Sequence, residues 1–230
     1  MPTKRQRKPR TEGGARRLID LSHAVEHGLV TYKGLPSPVI TDHMTREESR
    51  KYYGANTEFH IGKIEMVANT GTYIDSPFHR FADGKDLSGL PLKSLANLEA
   101  ICVTAKPGRA IDADQFEKLE VKGKAVLVRT GWSRHWKTPA YFEGHSFLTA
   151  AAAKLLVRRG AMLVGIDSYN IDDTDDKLRP VHTALLGNDI PIVEHMTALD
   201  KLPPGGFRFF AVPVKVKSFG TFPVRAFALV

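Results

Sequence analysis

The chain carries a single cysteine, so no internal disulfide can form, and the apolar setting of Cys102 in AICVTA marks it as a core residue rather than a nucleophile. No apolar run approaches the roughly 20 residues needed to cross a bilayer. The N-terminal stretch lacks the apolar centre of a secretory signal. A cytoplasmic protein with no membrane partner is therefore expected. Nothing resembles a linker between two domains, and 230 residues suffice for one sizeable core. The body of the chain also lacks a basic patch interleaved with exposed aromatics, the composition that would point to nucleic acid.

The charge excess sits in one place. Residues 1–17 hold seven lysines and arginines against Glu12, so this stretch carries +6 of the formal +8 and the rest of the chain only +2. With Pro, Gly and no apolar periodicity, residues 1–17 read as a solvated basic arm, and residues 18–230 as the folded domain. Such an arm can attract anionic surfaces nonspecifically, but nucleic acid is not expected as a partner.

Hydrophobic patterning gives alternating elements. Leu18–Ser22, Ile101–Ala105, Ala125–Arg129, Ala161–Ile166, Phe207–Val212 and Phe222–Val230 read as strands, and the continuously apolar ones fit a sheet covered on both faces. Thr149 caps a helix over 150–159 that Gly160 ends. The fold class is α/β, layered and single-domain.

Chemistry concentrates in ANTGTYIDSPFHRFADG, residues 68–84. Asp75 and His79 lie four positions apart, but Pro77 between them discourages one helical face, so a loop leaving a strand over 59–68 is expected. Asp75 could be a turn cap and His79 a half-buried hydrogen-bonding group, since Asp, Pro and Gly are ordinary turn formers. A second cluster pairs His182, near the start of a helix at Pro180, with Glu194, after a strand at 190–193. A buried helix N-terminal residue and a strand-end charge are the plain alternatives. His23 is either a pocket residue or the cap of the first strand. Trp132, Trp136, Phe78 and Tyr169 could line an aromatic pocket or fill the core.

The run NTGTYIDSPFH, residues 69–79, resembles the signature His-x-Gly-Thr-His-x-Asp-x-Pro-x-His of the cyclase-like metal-dependent hydrolases, a family that includes the bacterial kynurenine formamidases. The likeness continues through RTGWSRHW, GIDSYNID, VHTALLGNDIPIVE and PVRAFAL. The resemblance implies a β-sandwich-like core flanked by helices, a homodimer or higher homo-oligomer, and hydrolysis of a C–N bond in a small amide, formamide or cyclic imide. It implies metal ligation by Asp75, His182 and Glu194, with His79 as general base and acid. Asn69 and Tyr73 stand where the family places metal-binding histidines. Neither an amide oxygen nor a phenol replaces a neutral imidazole, so one divalent metal, Zn²⁺ or Mn²⁺, is expected rather than two. Asn69, Tyr73, Phe78 and Trp132 are the expected substrate contacts. The two substitutions also fit an alternative, a metal-free relative that binds a small ligand without turning it over.

Overall fold

The computed structural model describes residues 16–230. The basic arm expected at residues 1–17 therefore lies outside the described residues, apart from its last two. Of these, Arg17 exchanges backbone hydrogen bonds of 2.9 Å with Val230 in both directions.

Thirteen strands and three α-helices occur among the described residues. In chain order they are β1 Leu18–Asp20, β2 Val39–Met44, α1 Arg46–Ser49, β3 Ile61–Glu65, β4 Tyr73–Asp75, β5 Leu98–Thr104, β6 Ala110–Ile111 and β7 Ala125–Arg129. There follow β8 Phe147–Leu148, α2 Ala150–Arg158, β9 Leu163–Ile166, α3 Pro180–Leu186, β10 Ile192–Glu194, β11 Gly205–Phe210, β12 Thr221–Pro223 and β13 Phe227–Leu229. Nine strands make one sheet in the order β1-β13-β11-β5-β7-β9-β10-β4-β12. Its centre, β5-β7-β9-β10, is parallel, and its flanks are antiparallel.

Of the central strands, β7, β9 and β10 are buried on both faces, which is why β7 reads as an unbroken apolar run. Val126, Val128, Val164 and Ile166 point to one side, where α2 and α3 cover them with Leu156 and Leu185. Leu127 and Leu163 point to the other side. There they meet Ile19 of β1, Ile74 of β4 and Phe207 and Phe209 of β11. Residues from both ends of the sheet thus converge on its middle, so the sheet curls over its own inner face. The layered α/β fold is present, and a single curled sheet supplies both layers of the sandwich-like core.

Three local expectations change. The strand expected over 59–68 shortens to β3, which pairs only with β2 in a separate two-stranded sheet and is exposed along its whole length. Phe222–Val230 divides into β12 and β13, which lie in different parts of the sheet. Pro223, with no N–H to donate, ends the first of them. Asp75 is not on a loop: it closes β4, which is inserted between β10 and β12 and hydrogen-bonded on both edges.

Candidate active site

Alternation along β4 turns Tyr73 and Asp75 to one face and Ile74 to the other, where it enters the core. Gly71, at φ +66°, supplies the left-handed turn that starts this entry into the sheet. The register does the rest. Glu194 of β10 stands directly opposite Tyr73, and Thr221 of β12 directly opposite Asp75. After β4 the chain enters a 3₁₀ turn, Pro77–His79, with Pro77 in its first position. A Cβ on Gly220 would lie 2.6 Å from the His79 backbone, so glycine is what lets β12 approach and place Thr221 beside His79.

These elements bring together the four side chains singled out in the sequence as ligands and proton carrier. His182 Nε2 lies 3.8 Å from Asp75 Oδ2 and 3.8 Å from Glu194 Oε1. His79 Nδ1 lies 3.9 Å from Asp75 Oδ1, and one ligand atom from each of Asp75, His79 and His182 falls within 4.8 Å of the others. Around them is a cavity of about 280 Å³, lined among others by Asn69, Tyr73, His79, His182 and Glu194.

Each group is oriented by a hydrogen bond behind it. Asp172 accepts from the backbone N–H of Val181 and of His182 and from His182 Nδ1, at 2.6 Å. That orients the ring and turns its Nε2 towards the carboxylates. Glu194 Oε1 accepts from the Ile171 N–H, and Oε2 from the Tyr73 hydroxyl at 2.7 Å. The same hydroxyl is 3.2 Å from His195 Nε2, and His195 Nδ1 is 2.9 Å from the Tyr141 hydroxyl. Thr221 donates its hydroxyl proton to Asp75 Oδ1 at 2.5 Å. It must therefore accept at its 2.9 Å contact with His79 Nδ1, which makes Nδ1 the protonated nitrogen of a neutral His79 and leaves Nε2 as a base.

The electrostatics follow from burial and crowding of charge. Burial alone would lower the His182 pKa, but the Asp172 hydrogen bond and the charges of Asp75 and Glu194 raise it to about 10. Burial pushes Glu194 up to about 7, more than the nearby imidazole pulls it down. Asp75 is also pushed up by burial, yet the neighbouring imidazoles and Thr221 leave it below its ordinary value. Burial and adjacent carboxylates hold the Tyr73 phenol well above 10, so it stays a donor.

A cation fits this cluster. Asp75 Oδ2 is buried with no hydrogen-bond partner, a costly state for a carboxylate oxygen unless a positive group faces it. Donor atoms held 2.0–2.2 Å from one ion lie roughly 3.3–3.6 Å apart, close to the 3.8 Å spacings and too far for direct hydrogen bonds between the groups themselves. The field that keeps a proton on His182 would equally favour a divalent ion in its place.

Of the expected substrate contacts, Asn69 and Tyr73 line the cavity. Phe78 lines a neighbouring depression shared with Asn69 and His79. Trp132 lines neither. Its ring lies against His135 and its Nε1 donates to the Tyr141 carbonyl, because Gly131 turns the chain away and Asp167 clamps Thr130 and Gly131 from behind. His23 stacks on Trp136 at 4.1 Å, and Trp136 packs edge-on against Tyr141 and His195. These rings form a wall behind the site and do not line the cavity. Sequence reasoning missed Asp172, Thr221, Arg80, Arg179 and Tyr32. Asp172 lay within the quoted GIDSYNID stretch, and Arg80 beside His79.

Residues 19–173, more than half the chain, match the sequence pattern of a family described as putative cyclase. Kynurenine formamidase of Bacillus cereus is 29% identical over 217 residues, covering 90% of this chain and 95% of the relative. The enzyme of that name from Bacillus cytotoxicus matches equally well. A solved structure described as a potential metal-dependent hydrolase with cyclase activity superposes with a TM-score of 0.76 at 25% identity, over 94% of this chain and 98% of its own. Isatin hydrolase A from Labrenzia aggregata shares the fold, with a TM-score of 0.79 at 19% identity over 94% of each chain.

Proposed function

We propose that this chain, which belongs to the putative cyclase family, is a metal-dependent hydrolase that cleaves a C–N bond in a small amide, formamide or cyclic imide. The observation that carries this reading is the buried Asp75 Oδ2, which has no hydrogen-bond partner and lies 3.8 Å from His182 Nε2, itself 3.8 Å from Glu194 Oε1. The formamidases that it resembles over 90% of its length support the reaction class.

Asp75, His182 and Glu194 would hold one divalent ion, and one imidazole with two carboxylates suits Zn²⁺ or Mn²⁺. When bound, the ion supplies Lewis-acid polarisation of the carbonyl and a water of lowered pKa. Tyr73 occupies one Glu194 oxygen with its hydroxyl, which favours one ion over two. His79 is the proton carrier. Its side chain is 35% exposed, against 8% or less for the three ligands, so a substrate in the cavity can reach its Nε2. It takes a proton from the attacking water as oxygen adds to the carbonyl carbon, then delivers it to the nitrogen as the C–N bond breaks, leaving an acid and an amine. Tyr73 and Asp172 keep Glu194 and His182 pointed into the site throughout. A cytoplasmic homo-oligomer belongs to the same reading. Ile40, Ile61 and Ile64 on the β2–β3 sheet are exposed apolar side chains that a second copy would cover.

His79→Asn tests the assignment with formanilide as substrate and elemental analysis of the purified protein. Turnover should fall by roughly 10²- to 10⁴-fold with metal content unchanged. Loss of metal together with activity would make His79 a ligand. A wild-type protein that holds no metal and turns over no amide would favour the metal-free ligand-binding relative.

A further inference from the structure

Behind Glu194 stands a chain of buried groups that the hydrolase reading uses only at its near end. The Tyr73 hydroxyl donates to Glu194 Oε2 at 2.7 Å and lies 3.2 Å from His195 Nε2, and His195 Nδ1 lies 2.9 Å from the Tyr141 hydroxyl. All four residues are buried, with 1% or less of their surface exposed. His195 holds a left-handed backbone, φ +53°, a conformation that costs a residue other than glycine. Thr72 fixes that backbone by donating its hydroxyl proton to the His195 carbonyl at 2.6 Å. The far end is anchored too: the Trp132 indole N–H donates to the Tyr141 carbonyl at 3.0 Å, which gives Trp132 a task away from the cavity. Packing alone does not call for a polar ring on a strained backbone, because an apolar side chain fills buried space without needing two partners.

Burial holds the Tyr141 phenol well above 10 and lowers His195 to about 3, so neither is ionised near neutral pH. Tyr73 spends its only proton on Glu194, so its oxygen accepts from His195 Nε2, and His195 Nδ1 accepts from Tyr141. Every donor in the chain points towards Glu194. We propose that Tyr141 and His195 are positioning residues for the ligand Glu194, acting through Tyr73. The proposal rests on the hydrolase reading for the assignment of Glu194 as a ligand and adds what holds it. By donating to Nδ1, Tyr141 leaves His195 able only to donate at Nε2. Tyr73 then finds no acceptor in His195, and its hydroxyl stays on Oε2. Glu194 Oε1 is held by the Ile171 N–H at 2.6 Å, so both carboxylate oxygens are fixed. Oε1, 3.8 Å from His182 Nε2, keeps one lone pair for a divalent ion. Tyr73 stands where the resembled signature has a metal-binding histidine, and the relay lets a phenol there serve the site by positioning a ligand instead of being one.

Calorimetric titration of Zn²⁺ and of Mn²⁺ into the chelator-stripped full-length protein reads the relay without any turnover. Tyr141→Phe keeps the ring and removes one hydroxyl, while His195→Asn tolerates the left-handed backbone but is too short to join both phenols. Each should weaken binding of the ion by about tenfold, and the double variant by about the same tenfold, because the relay acts as one unit. ¹⁵N NMR of histidine-labelled protein, with the His195 signal assigned by its loss in His195→Asn, should show the proton on Nε2 in the parent and a share of it on Nδ1 in Tyr141→Phe. A purely structural role would lower thermal stability and leave the affinity for the ion unchanged. Unchanged affinity in Tyr141→Phe, or a parent His195 protonated on Nδ1, would overturn the proposal, and Tyr141→Phe carries the test if His195→Asn fails to fold. Relay-dependent ion binding in a protein that hydrolyses no formanilide would leave the relay standing and end the hydrolase reading. Formanilide hydrolysis with ion affinity untouched by both substitutions would do the reverse, and a parent that binds neither ion would end both.

Discussion

At the floor of the cavity, Tyr73, His182 and Glu194 are buried, and each is fastened by a hydrogen bond of 2.6–2.7 Å to a group behind it. At the mouth, His79 and Arg80 are exposed, and the Arg80 contact with Thr183 is 3.3 Å. The floor comes from neighbouring strands of one sheet and the N-terminal turn of α3, so its geometry is as rigid as the sheet register. The mouth comes from short turns, where side chains keep donors free for a ligand. Tyr73, His182 and Glu194 are satisfied by the fold itself, Asp75 Oδ2 is the one floor oxygen left unpartnered for a cation, and the half-exposed groups at the mouth can wait for substrate.

Breaking the floor should have the largest consequences. Asp75→Asn removes a charge from the centre of the cluster, and elemental analysis should find the ion lost. The catalytic contribution of an ion at such a site is several kcal/mol, so turnover should fall by roughly 10³-fold or more. Metal retained at wild-type stoichiometry would show that Asp75 is not a ligand.

Tyr73→Phe sharpens the comparison because it leaves shape nearly intact. Glu194 Oε2 loses its donor and His195 Nε2 a partner, both in the interior. An unsatisfied buried group costs about 1–3 kcal/mol, and in a chain of this size each kcal/mol lowers the thermal midpoint by about 2–4 °C. A fall of at least about 3 °C in calorimetry is expected here and not in Arg80→Gln. Equal midpoints for the two variants would erase the distinction between floor and mouth.

The smallest effect lies in the wall behind the floor. Burial lowers His23 to about 4, with Lys137 adding to it, and burial likewise lowers His145, which packs edge-on against Tyr169 beside that wall. In the unfolded chain both accept protons near pH 6.5, so between about 4 and 6.5 the unfolded state binds more protons than the folded one. Their contribution to stability is thus complete above about pH 6.5 and is lost as pH falls towards 4. Glu194, whose pKa is raised, acts in the opposite direction over part of this range, so the useful quantity is a difference. The slope of thermal midpoint against pH should be shallower in His23→Gln/His145→Gln than in the parent. Parallel slopes would mean that these rings are not held neutral by burial.

Much of this was legible in residue order. The apolar run of β7, the Thr149 cap and the Gly160 stop follow from period, capping and backbone freedom, all properties of a few consecutive residues. The signature placed Asp75 and His79, and it exposed the two departures at Asn69 and Tyr73. Aromatic residues were the weak point: Trp132 and Trp136 have the composition of a pocket lining, and only their packing shows that Trp136 belongs to the wall behind the site and that Trp132 lies against His135.

What the sequence by itself determined was the set of donors, since carboxylate, imidazole and guanidinium chemistry belongs to the residue and travels with it. What only the tertiary structure decided was which donors meet. Tyr73 and Glu194 are 121 residues apart and Asp75 and Thr221 are 146 apart, and each pair faces across one rung of the sheet. Because side chains alternate along a strand, a shift of one residue in either pairing would have turned Tyr73 and Asp75 into the core and Ile74 into the cavity. Register is fixed by the whole curled sheet burying its apolar face, and no local stretch of the chain contains that information.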